Sequence, residues 1–178
     1  RVLKEDCLDL PDKLYTRRDV PLTEEQKRLY GQMKKLALAK LENGELATTA
    51  SVLTQIMRLQ QICCGFLQPD EGEIQPVENN RLKELLEITE ELQGKAIIWA
   101  SYTHGIQQIA SALRDRFGPE AVATYYGDTP QDERQAIVDR FQEPDSELRF
   151  FVGQPLTGGM GITLTAANTV IYYNNSYD

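Results

Sequence analysis

Metal-ligand spacing is missing from this chain: Cys7, Cys63 and Cys64 are its three cysteines, none in a Cys-x-x-Cys pair, and His104 is its one histidine. An odd count with two adjacent thiols suits neither a disulfide framework nor a zinc site, so the cysteines are expected to be small, reduced core residues. His104 has no carboxylate or nucleophile spaced to make it catalytic and is expected on a surface loop. No apolar run is long enough to span a bilayer, and no basic-then-apolar segment opens the sequence, which points to a cytoplasmic protein without a membrane partner. Positive charge is also short: 19 Lys and Arg face 27 Asp and Glu, a net charge of −8. That balance argues against strong autonomous binding to nucleic acid, though it leaves room for a local groove. Neither a Gly-Lys-Ser/Thr phosphate loop nor the dinucleotide G-x-G-x-x-G pattern occurs.

What is present begins with size: 178 residues at 41% hydrophobic content can bury one core plus a helical appendage. The most telling stretch is Leu148 to Asp178, which reads as strand, glycine-rich turn, short helix and second strand. Phe150, Phe151 and Val152 form one apolar run and Val170, Ile171, Tyr172 and Tyr173 another, both expected as buried parallel strands. Between them Gly158, Gly159 and Gly161 let the chain turn sharply and let another molecule approach its backbone. Such a turn before a helix can bring N–H groups to a phosphate; spacing alone leaves an ordinary strand-to-helix turn equally open.

Upstream, Asp12 to Val20 alternates imperfectly and predicts an extended lead-in strand closed by Pro21. Thr23 and Gln26 form a capping box before a helix striped by Leu29, Met33, Leu36 and Ala37, which should end at Asn43-Gly44. A second helix, roughly Leu46 to Cys63, is apolar on two sides, Leu53 and Met57 on one and Val52, Ile56, Leu59 and Ile62 on the other, and is expected between the first helix and the lobe. Gly65 to Asn79 reads as a polar surface loop. Then come a helix with Leu82, Leu85, Leu86 and Leu92, a strand at Ala96 to Ala100, a helix with Ile106, Ile109, Ala110, Leu113 and Phe117, and a strand at Val122 to Tyr126. Thr129 as N-cap and Pro130 at the first position start a helix with Ile137, Val138 and Phe141. Trp99 is expected in the core and the strand tyrosines at the sheet rim. Alternating strands and helices predict a parallel α/β sheet, whose ligands gather at the carboxyl ends of the strands. That rule brings together three loops: Ser101 to Gly105, Gly127 to Pro130, and Gln154 to Thr163. Within the first, Ser101 and Thr103 can equally be read as helix caps.

Taken in order, KAIIWASYTHGIQQIASALRDRF, YYGDTPQDERQAIVDRF and GGMGITLTAANTVIYYNNSYD resemble motifs IV through V of the second RecA-like lobe of Swi/Snf-type ATPases in helicase superfamily two. LDLPDKLYTRRDVPLTEEQKRLY with LTQIMRLQQICCGFL is similar to the segment and helical protrusion that precede that lobe, so the resemblance covers nearly the whole chain. GQPLTGGMGITLTAA with IYYNNSYD looks most like the phage and bacterial branch, since remodellers usually carry Ser-Thr-Lys-Ala where Gln154 to Thr157 stand. The resemblance implies a lead-in segment over 1–22, a helical protrusion and loop over 23–77, and a RecA-like parallel sheet flanked by helices over 78–178. It further implies the second motor lobe of an ATP-dependent DNA translocase, in the cytoplasm of a bacterial or phage-infected cell. ATP and magnesium would be used by the intact two-lobe protein, with none bound tightly here.

The partners implied are the first RecA-like lobe of the same polypeptide and duplex DNA. In the family's pattern Gly159, Gly161 and Thr163 stand at nucleotide-binding positions, and Ser101, Tyr102, Thr157 and Gly158 at positions facing DNA phosphate. Pro155 departs from the remodeller pattern and removes one N–H donor. Arg134 matches an arginine for which pairing with an acid, or tying its helix to the next loop, is expected. No catalytic residue and no metal ligand is implied in this stretch, because the phosphate loop and the Asp-Glu-x-His box belong to the first lobe and the arginine-bearing motif VI would follow shortly after Asp178. The fragment alone is therefore expected to be inactive. Two readings from other classes stand beside this one: a docking module built on a degenerate lobe, and a Rossmann-like enzyme holding a nucleoside cofactor, against which the late position of the glycines speaks.

Overall fold

The structure is a computed structural model that describes residues 13–44, 48–69, 72–158 and 161–175. Residues 13–23 run without regular structure, so the expected lead-in strand is absent over its described part; Asp12 lies outside the described residues, as does Cys7. Two antiparallel-packed helices follow, α1 (Glu24–Glu42) and α2 (Thr49–Cys63). The Thr23–Gln26 capping box that starts α1 is formed in both directions, and the helix gives way at Asn43, followed by Gly44 at φ +74°. Leu46, the expected start of α2, is outside the described residues; Thr48 and Ser51 make the cap instead.

Gln26 does more than cap. Its side chain is buried, and Nε2 donates to the carbonyls of Ile62 (2.8 Å) and Cys63 (3.3 Å), so one amide starts α1 and closes the last turn of α2. Gln26→Leu keeps the volume but leaves those carbonyls and the Thr23 N–H without this partner; the expected loss is about 1–3 kcal/mol, measured by chemical denaturation. The apolar sides of the pair are only partly covered. Ala37 is buried, but Leu36, Leu53 and Met57 stay about half exposed, so α2 is not enclosed on its Leu53 side as its sequence suggested.

Where a polar loop was expected, β1 (Phe66–Leu67) and β2 (Gln75–Pro76) pair antiparallel, with Phe66 and Val77 buried. Then come α3 (Arg81–Glu91), β3 (Lys95–Trp99), α4 (Thr103–Phe117), a 3₁₀ turn (Pro119–Ala121), β4 (Val122–Tyr125), α5 (Gln131–Gln142), β5 (Phe150–Gly153), the single turn α6 (Pro155–Gly158) and β6 (Ala167–Tyr172). The last four strands form one all-parallel sheet in the order β4-β5-β3-β6.

Period-two alternation divides the core between the two faces of the sheet. Ala96, Ile98, Phe150 and Val152 meet Leu85 of α3 and Ile106, Ile109, Ala110 and Leu113 of α4; Ile97, Trp99, Ala123, Tyr125 and Phe151 meet Val138 and Phe141 of α5, with Ile162 and Leu164 beside them. Three expectations change here. Among the described residues β6 is an edge strand and alternates in exposure, with Val170 at 48% and Tyr172 at 65%, so these residues cover only one of its faces. Tyr126 and Tyr173 fall just past their strands, Tyr173 buried. Thr129 does not cap α5: Pro130 holds that position, and the buried Thr129 hydroxyl accepts from the Tyr126 N–H (3.0 Å) inside the turn.

At the opposite, amino end of the sheet, Arg149 donates to the carbonyls of Gly94, Thr89 and Leu92 while its guanidinium lies over Phe117 and Phe150. This clamp ties α3 to the start of β3 and β5. Hydrogen bonds from a charged donor are worth about twice neutral ones, so Arg149 is a main fastener of this end.

Candidate functional site

β3 and β5 are neighbours whose following segments go to opposite faces: α4 packs on one, and the chain after α6 sends Ile162 and Leu164 to the other. A crevice at the carboxyl ends of such a pair is the usual ligand position of an open parallel sheet. The three loops expected to converge lie along this edge, and two are bonded to each other. Gln154, directly after β5, donates from Nε2 to the Ser101 carbonyl (3.0 Å), and its N–H reaches the Tyr125 carbonyl (3.0 Å). From the far side, Asn174 after β6 accepts the Ser101 N–H on Oδ1 (2.7 Å). Both main-chain groups of Ser101 are thus held by side chains from two other segments.

The remaining site residues divide. Thr157 lies in α6; its hydroxyl donates to Gln154 Oε1 (3.3 Å) and its N–H to the Gln154 carbonyl (3.1 Å). Gly158 closes α6, and Gly159 is outside the described residues. Gly161 has φ +86° with no other described residue within 4 Å of where a Cβ would stand, and Thr163 is exposed. With one turn, α6 offers no developed helix dipole, so any ligand here would meet loop backbone rather than a helix end. Pro155 opens that turn, where a missing N–H matters least.

Tyr102 faces the protrusion: its hydroxyl donates to Gln60 Oε1 of α2 (2.9 Å), and its ring meets Phe66 edge-on at 5.4 Å. No sequence signal pairs residues 60 and 102; only the folded protrusion brings them together. Neither Ser101 nor Thr103 caps α4; its N-cap is Tyr102, whose side chain makes no capping bond to the helix. Arg134 ties α5 to the turn before it, not after it, donating to the carbonyls of Thr129, Tyr126 and Gly127 while stacking on Tyr125. A cavity of about 350 Å³ lies where α2 meets the end of β6, lined by Gln60, Cys63, Cys64, Arg81, Tyr102 and Asn174 among others. Burial pushes both thiols up, the Arg81 charge opposing it, and Cys64 Sγ accepts from Asn174 Nδ2 at 3.1 Å. Tyr173, also buried there, has its phenol raised far above the ordinary value.

His104 is not a loop residue. It sits in the first turn of α4 with its ring 5.0 Å from that of Phe66, and its buried Nε2 has no hydrogen-bond partner among the described residues. Burial lowers its pKa below the usual 6.5. The folded state therefore binds the proton less readily than the unfolded chain, so its contribution to stability is full above pH 6.5 and is lost as pH falls through the lowered folded value. His104→Phe is expected to flatten stability against pH in that window, read by thermal unfolding between pH 5 and pH 7.

Among the described residues no group of three His, Cys, Asp or Glu could hold a metal ion, and no helix is long and apolar enough to cross a membrane. The family model for the helicase conserved C-terminal domain matches residues 78–178. The chain is 29% identical to YwqA of Bacillus subtilis (strain 168) over 178 residues, covering 96% of this chain and 19% of that protein. Over 155 residues it is 30% identical to the ATP-dependent helicase FUN30 of Saccharomyces cerevisiae, covering 79% of this chain and 13% of that one. In structure it resembles the Sulfolobus solfataricus SWI2/SNF2 ATPase core in complex with dsDNA, with TM-score 0.76 at 24% identity, covering 97% of this chain and 37% of that one. The C-terminal domain of the same ATPase gives TM-score 0.69 at 23% identity, covering 87% of this chain and 69% of that one. The fold is accordingly RecA-like. The chain spans about a fifth or less of YwqA and FUN30, and all of it but a few residues finds a counterpart in YwqA.

Proposed function

The chain belongs to the helicase conserved C-terminal domain family, and we propose that within a longer protein it is the second motor lobe of a Swi/Snf-type ATPase that translocates on duplex DNA. The observation that carries this reading is the direct hydrogen bond by which Gln154, at the carboxyl end of β5, holds the Ser101 loop at the carboxyl end of β3. We assign the turn with Gly159, Gly161 and Thr163 to the nucleotide, and Ser101, Tyr102, Thr157 and Gly158 to DNA phosphate. The positive φ of Gly161, with no other described residue within 4 Å of its Cβ position, supports the first assignment, because a backbone free of side chain can lie close to a ligand.

In this reading residues 1–22 lead into a helical protrusion over 23–77, and 78–178 is the lobe. A first RecA-like lobe would hold the ATP phosphates and magnesium; the present residues supply the opposing wall, orient the nucleotide and hold one strand of DNA. Closure of the two lobes on ATP and their parting on release would alternate the grip on phosphates.

The test uses the natural protein that contains this chain. Its ATP hydrolysis is expected to rise on addition of duplex DNA, and Gly161→Val, which forces a β-branched residue to positive φ, is expected to lower the stimulated rate by about 10²-fold through misplacement of the turn. Hydrolysis indifferent to DNA, or equal turnover by residues 1–178 alone, overturns the reading.

A further inference from the structure

The Ser101 backbone is held on both sides of its Cα: Gln154 Nε2 donates to its carbonyl (3.0 Å) and Asn174 Oδ1 accepts its N–H (2.7 Å). Neither amide is free to turn. Gln154 Oε1 accepts the Thr157 hydroxyl (3.3 Å), and Asn174 Nδ2 donates to Cys64 Sγ at the end of α2 (3.1 Å), so flipping either would set two donors or two acceptors against each other. The contacts form one line, Thr157 to Gln154 to Ser101 to Asn174 to Cys64, running from the β5–α6 turn through the β3–α4 loop to the protrusion. A second tie runs beside it: Gln60 of α2 accepts from the Tyr102 hydroxyl (2.9 Å) and donates to the Asn175 carbonyl (3.4 Å).

We propose that Gln154 and Asn174 are positioning residues that make the β5–α6 turn, the β3–α4 loop and the protrusion move as one body, so that a displacement of the turn is delivered to Ser101 and Tyr102. The physical reason is that a residue whose N–H and C=O, in two successive peptide units, are both engaged by side chains cannot shift without breaking one bond or carrying the other along. Contacts among side chains have discrete partners, so the line transmits a shift instead of absorbing it. This rests on the assignment of Gly159, Gly161 and Thr163, which follow the β5–α6 turn directly, to nucleotide and of Ser101 and Tyr102 to DNA.

Two measurements keep the inference separable from that assignment. On the 178-residue chain, amide exchange at Ser101 reports the positioning alone. Asn174→Leu removes the acceptor and is expected to speed Ser101 exchange about tenfold, whereas Asn174→Asp retains the acceptor oxygen and leaves it slow; Gln154→Met, which keeps the length without the amide, is expected to speed it about fivefold. Unchanged exchange in both Asn174→Leu and Gln154→Met overturns the positioning. In the natural full-length protein, the ratio of DNA-stimulated to basal ATP hydrolysis reports the coupling. Gln154→Met is expected to lower that ratio about fivefold or more at saturating DNA, with folding intact by thermal unfolding. A wild-type ratio of one overturns the functional assignment; a stimulated wild type and an equally stimulated Gln154→Met overturns the coupling.

Discussion

Replacing Phe151 with alanine is expected to lower stability by about 3–5 kcal/mol, the range for emptying a fully buried aromatic site. Phe151 lies in β5, an interior strand, with no exposed surface, and its ring touches those of Trp99 (6.1 Å), Tyr125 (5.3 Å) and Phe141 (5.5 Å). These come from β3, β4 and α5, three elements that meet on this face at one side chain. Collapse into the void is hindered because β5 is hydrogen-bonded on both edges and cannot translate. Calorimetric unfolding should show the midpoint down by roughly 10 °C for a chain of this length; a fall of only a degree or two would mean that the face repacks.

Two residues on, Gly153→Val is expected to destabilise for the opposite reason. A Cβ built on Gly153 would stand 2.9 Å from Trp99 Cζ3, 3.0 Å from the Tyr125 carbonyl oxygen and 3.1 Å from Phe151 Cε1. Two of those neighbours are packed rings, and the third is backbone that receives the Gln154 N–H. Overpacking of this kind costs about 1–3 kcal/mol, and valine adds two methyls beyond the atom that already clashes. The two sites share a wall, so they should not add. Phe151→Ala opens one side of the space that Gly153→Val needs, and the double variant is expected to lose less than the sum by about 0.5–3 kcal/mol. Strict additivity in denaturant unfolding would show that Trp99 and the Tyr125 carbonyl, not Phe151, decide the clash.

The sequence carried the elements whose signal is local. The Thr23–Gln26 box, the Asn43-Gly44 stop and the stripe Ile106, Ile109, Ala110, Leu113 are patterns within one turn or one face, and the structure repeats them. What escaped depends on partners far along the chain. The run Val170 to Tyr173 is apolar at each position, so nothing in it distinguishes an interior strand from the edge strand that β6 is. Strands β1 and β2 have two residues each, too short for alternation, and Phe66 is buried by packing near Tyr102 and His104. At the candidate site, placing the three loops at one end of the sheet needed only the strand-helix alternation of a parallel α/β fold. Gln154 stood out only as a departure from the remodeller pattern, and its bond to Ser101, 53 positions away, needed coordinates. The same holds for Tyr102, whose hydroxyl is engaged by α2.

The alternation along β6 bears on how the chain behaves in the test tube. Among the described residues β6 is the last strand on its side of the sheet, and with Val170 and Tyr172 turned outward it presents an apolar strip of the kind on which a second molecule can add a strand. Against this stands the net charge of −8, which makes molecules repel at long range. Salt weakens that repulsion, the screening length falling to about 8 Å at physiological ionic strength, while leaving strand pairing in place. Dilute, low-salt, neutral-to-alkaline solutions are therefore expected to keep the chain dispersed, and concentrated saline ones, or a pH near its isoelectric point of about 4.8, to favour association, which light scattering would read.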